Sequence, residues 1–470
     1  MEENQYILGV DLGTTTVKVC LIDANSRKKV LEQSQITKAR VEVEAPRAEQ
    51  CPEKILFAVQ YCLAAIERKY LSNVVSIGVC GQMHGVVLWK RNAWTYDPAN
   101  EKFVFNKKCM STLITWQDQR CSEEFLRALP KRSSTSVVDP CAGFGCATLF
   151  WLLRKGDLLQ DFECVGTIQD LMVAMLTGLN KPVMTPQNAA SFGYFDVETN
   201  QWDLQALELS DFPCDILPEI VDESQVAGEL RHFWLGIPAR TVIFPATGDA
   251  QCSVLSGLQA REGSAILYMG TSAQISFVVD YRGRNHKGHH TYFPYFNGKH
   301  LCVAASLNGG NVLTQFVDMV KLWLYDLGVS LPESKVWDRL LNPTALTEQQ
   351  IFTGVNARTE SIRVRPLLFG ERHNPQSSGS VTGIRAQMPT LDKTFRAICA
   401  GLIDNLVEML PLSVLQDHGI SRLVCAGKVI NHNRVISSEV QRVFQDFSVE
   451  FASDCDSALG AALGAAMFRR

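Results

Sequence analysis

Asp11-Leu12-Gly13-Thr14-Thr15-Thr16 lies between two apolar, β-branched runs, Tyr6–Val10 and Val17–Asp23. A helix after the glycine would space its apolar residues at 3.6-residue intervals. Here they run almost unbroken, so the segment reads as strand, tight turn, strand, with Gly13 expected to supply the turn's conformational freedom. A phosphate loop of the Gly-Lys-Ser/Thr type is excluded, because that pattern opens a helix. The theme recurs where Ala265–Met269 and Ala273–Val279 flank Gly270-Thr271-Ser272. A strand–Gly-Thr–strand unit near the start of each half indicates an α/β chain of two domains, with ranges expected at 1–255 and 256–470.

The segments between the hairpins carry the other informative residues. A helical pattern near Pro52–Lys69 precedes a buried strand, Val74–Cys80, that ends in Gly81-Gln82-Met83-His84-Gly85. Further on, the short strand Val242–Phe244 leads to Thr247-Gly248-Asp249, and Ala250–Gly257 reads as a helix.

Bulk properties narrow the class. With 470 residues, 46% apolar and 20% charged, the chain has the make-up of an ordinary globular protein of more than one domain. A net charge of −4 advertises no nucleic-acid or acidic-lipid partner. The 15 cysteines form no Cys-x-x-Cys pair, and several sit inside apolar runs, which argues against zinc or a disulfide framework. The apolar stretch Ala458–Phe468 is too short to span a bilayer, and the N-terminus shows no secretory pattern. A cytoplasmic protein with no membrane or nucleic-acid partner is expected.

The chemistry follows from the turns and the carboxylates. Successive backbone N–H groups and threonine hydroxyls in a strand–strand turn suit phosphate oxygens. Asp11, at the end of its strand, is placed to hold a hydrated Mg²⁺ beside them. Asp249 has two readings: a helix cap, or the base that takes a proton from a hydroxyl attacking phosphorus. Gln82-Met83-His84 and Trp116-Gln117-Asp118 offer the planar hydrogen-bonding groups and aromatic face that a sugar requires. His84 as a core histidine and Trp116 as packing are the plainer alternatives. Asp170, just before the apolar run Leu171–Leu176, reads as a cap and not a ligand.

In this order, Asp11–Thr15, Gly81–Gly85, Gly248-Asp249, Gly270–Ser272, Gly370-Glu371-Arg372 and Asp456–Ala462 resemble the FGGY carbohydrate kinases over nearly the whole chain. The resemblance implies two ribonuclease-H/actin-like ATPase domains with a catalytic cleft between them. It implies ATP and Mg²⁺ as cofactors, the sugar held by the first domain and the nucleotide mainly by the second. By position, Asp249 would be the catalytic base, with Asp11 and Asp249 beside the metal. Gln82, Met83, His84, Trp116 and Asp118 would bind sugar. Gly13, Thr14, Thr15, Gly270 and Thr271 would meet phosphates, and Gly310, Gly427 and Asn431 the nucleoside. The chain departs from the glycine-rich adenine loop of the family at Cys425-Ala426-Gly427-Lys428, where only Gly427 keeps a close backbone approach.

Thr115–Asp118, Gly143–Thr148, Gln187–Ser191, Tyr292–Asn297 and Ala304–Asn311 narrow the resemblance to kinases acting on a seven-carbon ketose, sedoheptulose. The alternatives are a xylulose kinase, another ketose or polyol kinase, or a non-catalytic actin-like sensor of nucleotide or sugar. Assembly as a monomer or homodimer is expected.

Overall fold

A computed structural model describes residues 4–156, 161–259, 261–280, 288–342, 362–374, 376–384, 390–452 and 455–469. The chain divides into two compact units, one of Met1–Ser256, Phe293–Lys299 and Asp456–Arg470, the other of Gly257–Tyr292 and His300–Cys455.

The first unit is built on the opening hairpin. β1 (Tyr6–Leu12) runs antiparallel to β2 (Thr16–Asp23), which pairs in turn with β3 (Lys29–Ile36). On its other side β1 lies parallel to β4 (Val74–Gly81). Beyond β4 come β5 (Gly228–Glu229) and β6 (Val242–Ile243), giving the order β5-β6-β4-β1-β2-β3, with β7 (Thr247–Gly248) also paired to β4. Strands β1 and β4 are apolar along nearly their whole length because both faces are covered. The helix expected over Pro52–Lys69 is two pieces, Pro52–Ala64 and Arg68–Leu71.

One face of that sheet is covered by the last helix of the chain, Ser457–Phe468. Its range falls within the 256–470 expected for the second domain, yet it belongs to the first unit. The reason is steric fit. Gly9 and Gly78 are direct neighbours across β1 and β4, and a Cβ on them would stand 1.9 Å from Ala458 O and 2.1 Å from Ala461 O. The paired glycines leave a trough, and the alanine-rich helix lies backbone-close in it against Ile7, Cys20 and Ile22. Asp456 caps this helix, Oδ1 accepting from the N–H groups of Ala458 at 2.8 Å and Leu459 at 3.2 Å.

The second unit repeats the design. β8 (Ser264–Met269) is antiparallel to β9 (Ala273–Val279), which pairs antiparallel with β10 (His300–Ser306). β8 is parallel to β11 (Arg422–Ala426), and β11 to β12 (Ser448–Phe451). The order β10-β9-β8-β11-β12 therefore matches β3-β2-β1-β4-β6. Its core is separate, and includes Leu267, Phe277, Phe316, Phe395 and Phe444. The short sequence repeat thus marks a duplicated α/β topology.

All fifteen cysteines are free thiols, most of them buried. Among the described residues no helix is long and apolar enough to cross a membrane.

Replacing Gly9 by valine would drive a branched side chain into the Ala458 carbonyl. Overpacking of this kind costs about 1–3 kcal/mol or more, so urea unfolding of Gly9→Val is expected to show at least about 2 kcal/mol lost. The same change at exposed Gly156, where a Cβ meets nothing within 4 Å but φ is +69°, should cost only its backbone strain.

Candidate functional site

Three parallel strand ends meet in register in the first unit. Asp11 and Leu12 of β1 pair with Cys80 and Gly81 of β4, and these pair with Thr247 and Gly248 of β7. The chain leaving each end carries a singled-out group: the Gly13-Thr14-Thr15 turn, the Gln82-Met83-His84 loop, and Asp249 at the start of the helix Asp249–Leu258.

Asp11 and Asp249 are electrostatic neighbours. Burial first, and then the charges of Asp249 and Asp456, push Asp11 well above the usual carboxylate range, while Lys18 pulls the other way. Burial raises Asp249 to about 6. Both side chains keep partial access to solvent. Asp249 Oδ1 accepts from the adjacent Ala250 N–H at 2.7 Å. Cys80 Sγ lies 3.7 Å from Asp11 Oδ1. Lys18, directly opposite Asp11 on β2, pairs with the buried Asp456 at 2.8 Å.

Gly13 departs from the expectation in its reason. Its φ is not positive; a Cβ there would stand 2.6 Å from Thr16 O, so close approach and not left-handed geometry calls for glycine. Thr14 is drawn into a side-chain network. Its hydroxyl accepts from Trp116 Nε1 at 3.1 Å and donates to Gln82 Oε1 at 3.3 Å. Gln82 Nε2 donates to Gln50 Oε1 at 2.9 Å, and Gln50 Nε2 to Thr14 O at 2.6 Å, which closes a ring. The Thr14 hydroxyl, expected beside phosphate, therefore ties together Gln82 and Trp116. Thr15 is exposed at the turn. A cavity of about 880 Å³ opens beside Thr14, Thr15, Gln50, Thr115 and Gln117.

His84 sits at φ 76° with its ring stacked on Phe144, centroids 4.5 Å apart. Its Nδ1 bonds the Ser191 carbonyl at 2.9 Å, so Nδ1 carries hydrogen and Nε2 is the acceptor in the neutral ring. Met83 is buried against Gly248, where a Cβ would stand 2.7 Å from its Sδ. Asp118 is held differently from the expectation. It is 1% exposed, and its carboxylate takes Arg120 Nε at 2.8 Å, Arg120 Nη2 at 2.9 Å and Ala48 N–H at 2.7 Å. Arg120 also reaches Glu49 at 2.5 Å. Asp118 is thus a member of a buried ion-pair network behind the Trp116 loop. Asp170, expected as a helix cap, is the third residue of its helix and closes a capping box with the N-cap Thr167; burial raises it to about 7.

In the second unit Gly310 and Gly427 pack against the second turn and the end of the strand before it. Gly310 N–H donates to Gly270 O at 2.9 Å and Asn311 N–H to Thr271 O at 3.1 Å. Gly427 has φ +105°, and a Cβ there would stand 2.4 Å from Met269 O. Asn431 is exposed, and its side-chain amide donates to Ala452 O at 2.9 Å. Sequence reasoning missed Gln50, Glu49, Arg120 and Phe144. Of these only Arg120, two residues after Asp118, carried a local sign of pairing.

The family model described as the FGGY family of carbohydrate kinases, N-terminal domain, matches residues 6–256. The chain belongs to the FGGY family of carbohydrate kinases. Human sedoheptulokinase is 40% identical to this chain across 100% of it and 98% of the human protein. Mouse sedoheptulokinase is 40% identical, covering 98% of each. Among solved structures, a gluconate kinase from Lactobacillus acidophilus superposes with TM-score 0.77 at 21% identity, over 99% of this chain and 89% of that one. A xylulose kinase from Rhodospirillum rubrum gives 0.77 at 20% identity, over 98% and 90%. Both share the ribonuclease-H/actin-like fold of the FGGY kinases, and kinase membership implies use of ATP.

Removing one partner of a buried ion pair costs about 3–5 kcal/mol, because the other charge is left unpaired. Chemical unfolding of Arg120→Leu is expected to show a loss of about that size. An unchanged midpoint would mean that Asp118 is not held as described.

Proposed function

We propose that this FGGY kinase transfers the γ-phosphoryl group of ATP to the terminal hydroxyl of sedoheptulose, giving sedoheptulose 7-phosphate and ADP. The observation that carries the chemistry is that Asp11 and Asp249 lie at the ends of β1 and β7, the parallel strands on either side of β4, near enough for the charge of Asp249 to act on Asp11. Sugar identity rests on the full-length similarity to the two mammalian sedoheptulokinases.

Asp249 acts as general base. The sugar oxygen bonds to the γ-phosphorus as the bond to the β–γ bridging oxygen breaks and ADP leaves. The hydroxyl proton passes to an Asp249 carboxylate oxygen. With its pKa raised to about 6, Asp249 is mostly ionised near neutrality and is a stronger base than an ordinary aspartate. Gln82, Met83, His84 and Trp116 form the sugar pocket, with Thr14 bracing Gln82 against Trp116. Asp118 acts through Arg120 to fix the Trp116 loop. Gly13, Thr15, Gly270 and Thr271 serve phosphates through backbone groups and hydroxyls. Gly310 and Gly427 allow close backbone packing on the nucleotide side, and Asn431 borders it.

The residues fit a magnesium ion. Two carboxylates, both raised by burial and Asp11 also by the charge of Asp249, are the one or two protein ligands a hydrated Mg²⁺ takes, with water and phosphate oxygens completing the shell. Among the described residues no cluster of three or more potential protein ligands occurs, which suits that sparse mode. Asp11 and Asp249 would hold the ion, which neutralises phosphate charge when bound.

Asp249→Ala is expected to abolish ADP release while ATP still binds; near-normal turnover would overturn the assignment. In the intact enzyme kcat/KM should fall as pH drops through about 6, because protonation of Asp249 removes the base. A rate independent of pH between 5 and 7 would contradict it. A panel of ketoses, with gluconate added as a non-ketose acceptor, assayed by ADP release should favour sedoheptulose over xylulose and gluconate. Binding of ATP and sugar without turnover would instead identify a non-catalytic sensor.

A further inference from the structure

The strand β7, which delivers Asp249, is only two residues long and is paired to β4 on one side. Its other edge faces side chains from Thr185 and the helix Pro186–Phe192. Thr185 Oγ1 and Asn188 Nδ2 both donate to Ala246 O, at 2.8 and 3.0 Å. Gln187 Oε1 accepts from Gly248 N–H at 3.3 Å. The carbonyl before β7 and the N–H at its end are thus satisfied by side chains where a further strand would ordinarily supply backbone groups.

The same cluster reaches β4. Gln169 Nε2 donates to Gly81 O at 3.2 Å and to Asn188 Oδ1 at 3.3 Å. Thr185, Gln187, Asn188 and Gln169 are all 0% exposed. A chain of amides through Gln169 and Asn188 therefore links Gly81, which precedes the Gln82-Met83-His84 loop, to Ala246, while Gln187, next to Asn188 on the same helix, separately holds Gly248, the residue before Asp249. Such a cluster is costly as mere filling. Gln187 Nε2 and Gln169 Oε1 are buried with no hydrogen-bond partner, a penalty an apolar core would avoid.

We propose that Gln187, with Thr185 and Asn188, is a positioning device for the reaction: a side-chain strand that fixes Asp249 relative to the sugar loop. This rests on the reading of Asp249 as the base. Gln187 touches no reacting atom; it acts through the Gly248 peptide, one residue before the carboxylate. Displacement of a reacting group by about 1 Å can cost on the order of 100-fold in rate, so small shifts of β7 should register in kcat.

The test compares Gln187→Met with Gln60→Met in the full-length protein. Gln60 is a matched control, since its Oε1 accepts from Phe103 N–H at 3.2 Å and its Nε2 is also buried without a partner. Both variants should lose similar thermal stability. Only Gln187→Met should lose kcat, by roughly tenfold or more, with KM for ATP within about twofold of the parent. Gln187→Glu, which retains the acceptor for Gly248, should recover part of that loss. If Gln187→Met does not fold, Thr185→Val, which leaves Asn188 on Ala246 O, is read in the same way. Parental kcat in the position-187 variant, or an equal fall in Gln60→Met, overturns the proposal. Asp249→Asn in the same assay separates the two ideas. An active Asp249→Asn removes the base itself, whereas an inactive one beside a fully active Gln187→Met removes only the positioning role.

Discussion

The parallel pairing of β4 with β1 on one side and β7 on the other is the constraint from which the first unit follows. It brings Leu12, Gly81 and Gly248 level, so that three chain segments leave the sheet at one place. Two carboxylates, Asp11 and Asp249, are thereby held as neighbours although far apart in sequence. Like charges so placed are unfavourable, and burial deepens the cost by raising both pKa values. A structure built only for stability would avoid the pair; one that must receive phosphate and a cation gains from it.

The support behind this arrangement is unusual in being made of small residues and amides. Gly9 and Gly78 open the trough that admits the C-terminal helix, and its cap Asp456 reaches Lys18 opposite Asp11. The last residues of the chain therefore help to set the electrostatics of the first hairpin. On the open edge of β7, glutamine and asparagine side chains do what a strand would do elsewhere. Phe144 and Ser191 likewise fix the ring of His84, stacking on one face and accepting from Nδ1. The groups proposed to meet sugar are each held by a neighbour that does not.

The two hairpins are alike in topology and unlike in chemistry. Asp11 stands two residues before Gly13, whereas Tyr268 stands two before Gly270. The first turn is knitted by side chains, through Thr14 to Gln82, Gln50 and Trp116. The second is knitted by backbone, through Gly270 and Thr271 carbonyls to the N–H groups of Gly310 and Asn311. Duplication preserved the strand order, and the side chains at the turns diverged.

What the sequence by itself determined is local and periodic: the apolar runs around Gly13 and Gly270, the capping residues such as Asp170, and the ordered motifs that mark the family. Strand, turn and cap are properties of a few consecutive residues, so they can be read from composition and spacing. Tertiary structure decided which distant residues meet. No local signal joins Gln50 to Thr14 and Gln82, or the alanine-rich C-terminus to Gly9 and Gly78. Nor does any signal in the Asp118 loop fix its carboxylate on Arg120 and the Ala48 peptide in preference to a ligand. Those outcomes depend on burial, where a charge must be paired and a backbone group satisfied by whatever the fold brings within about 3 Å.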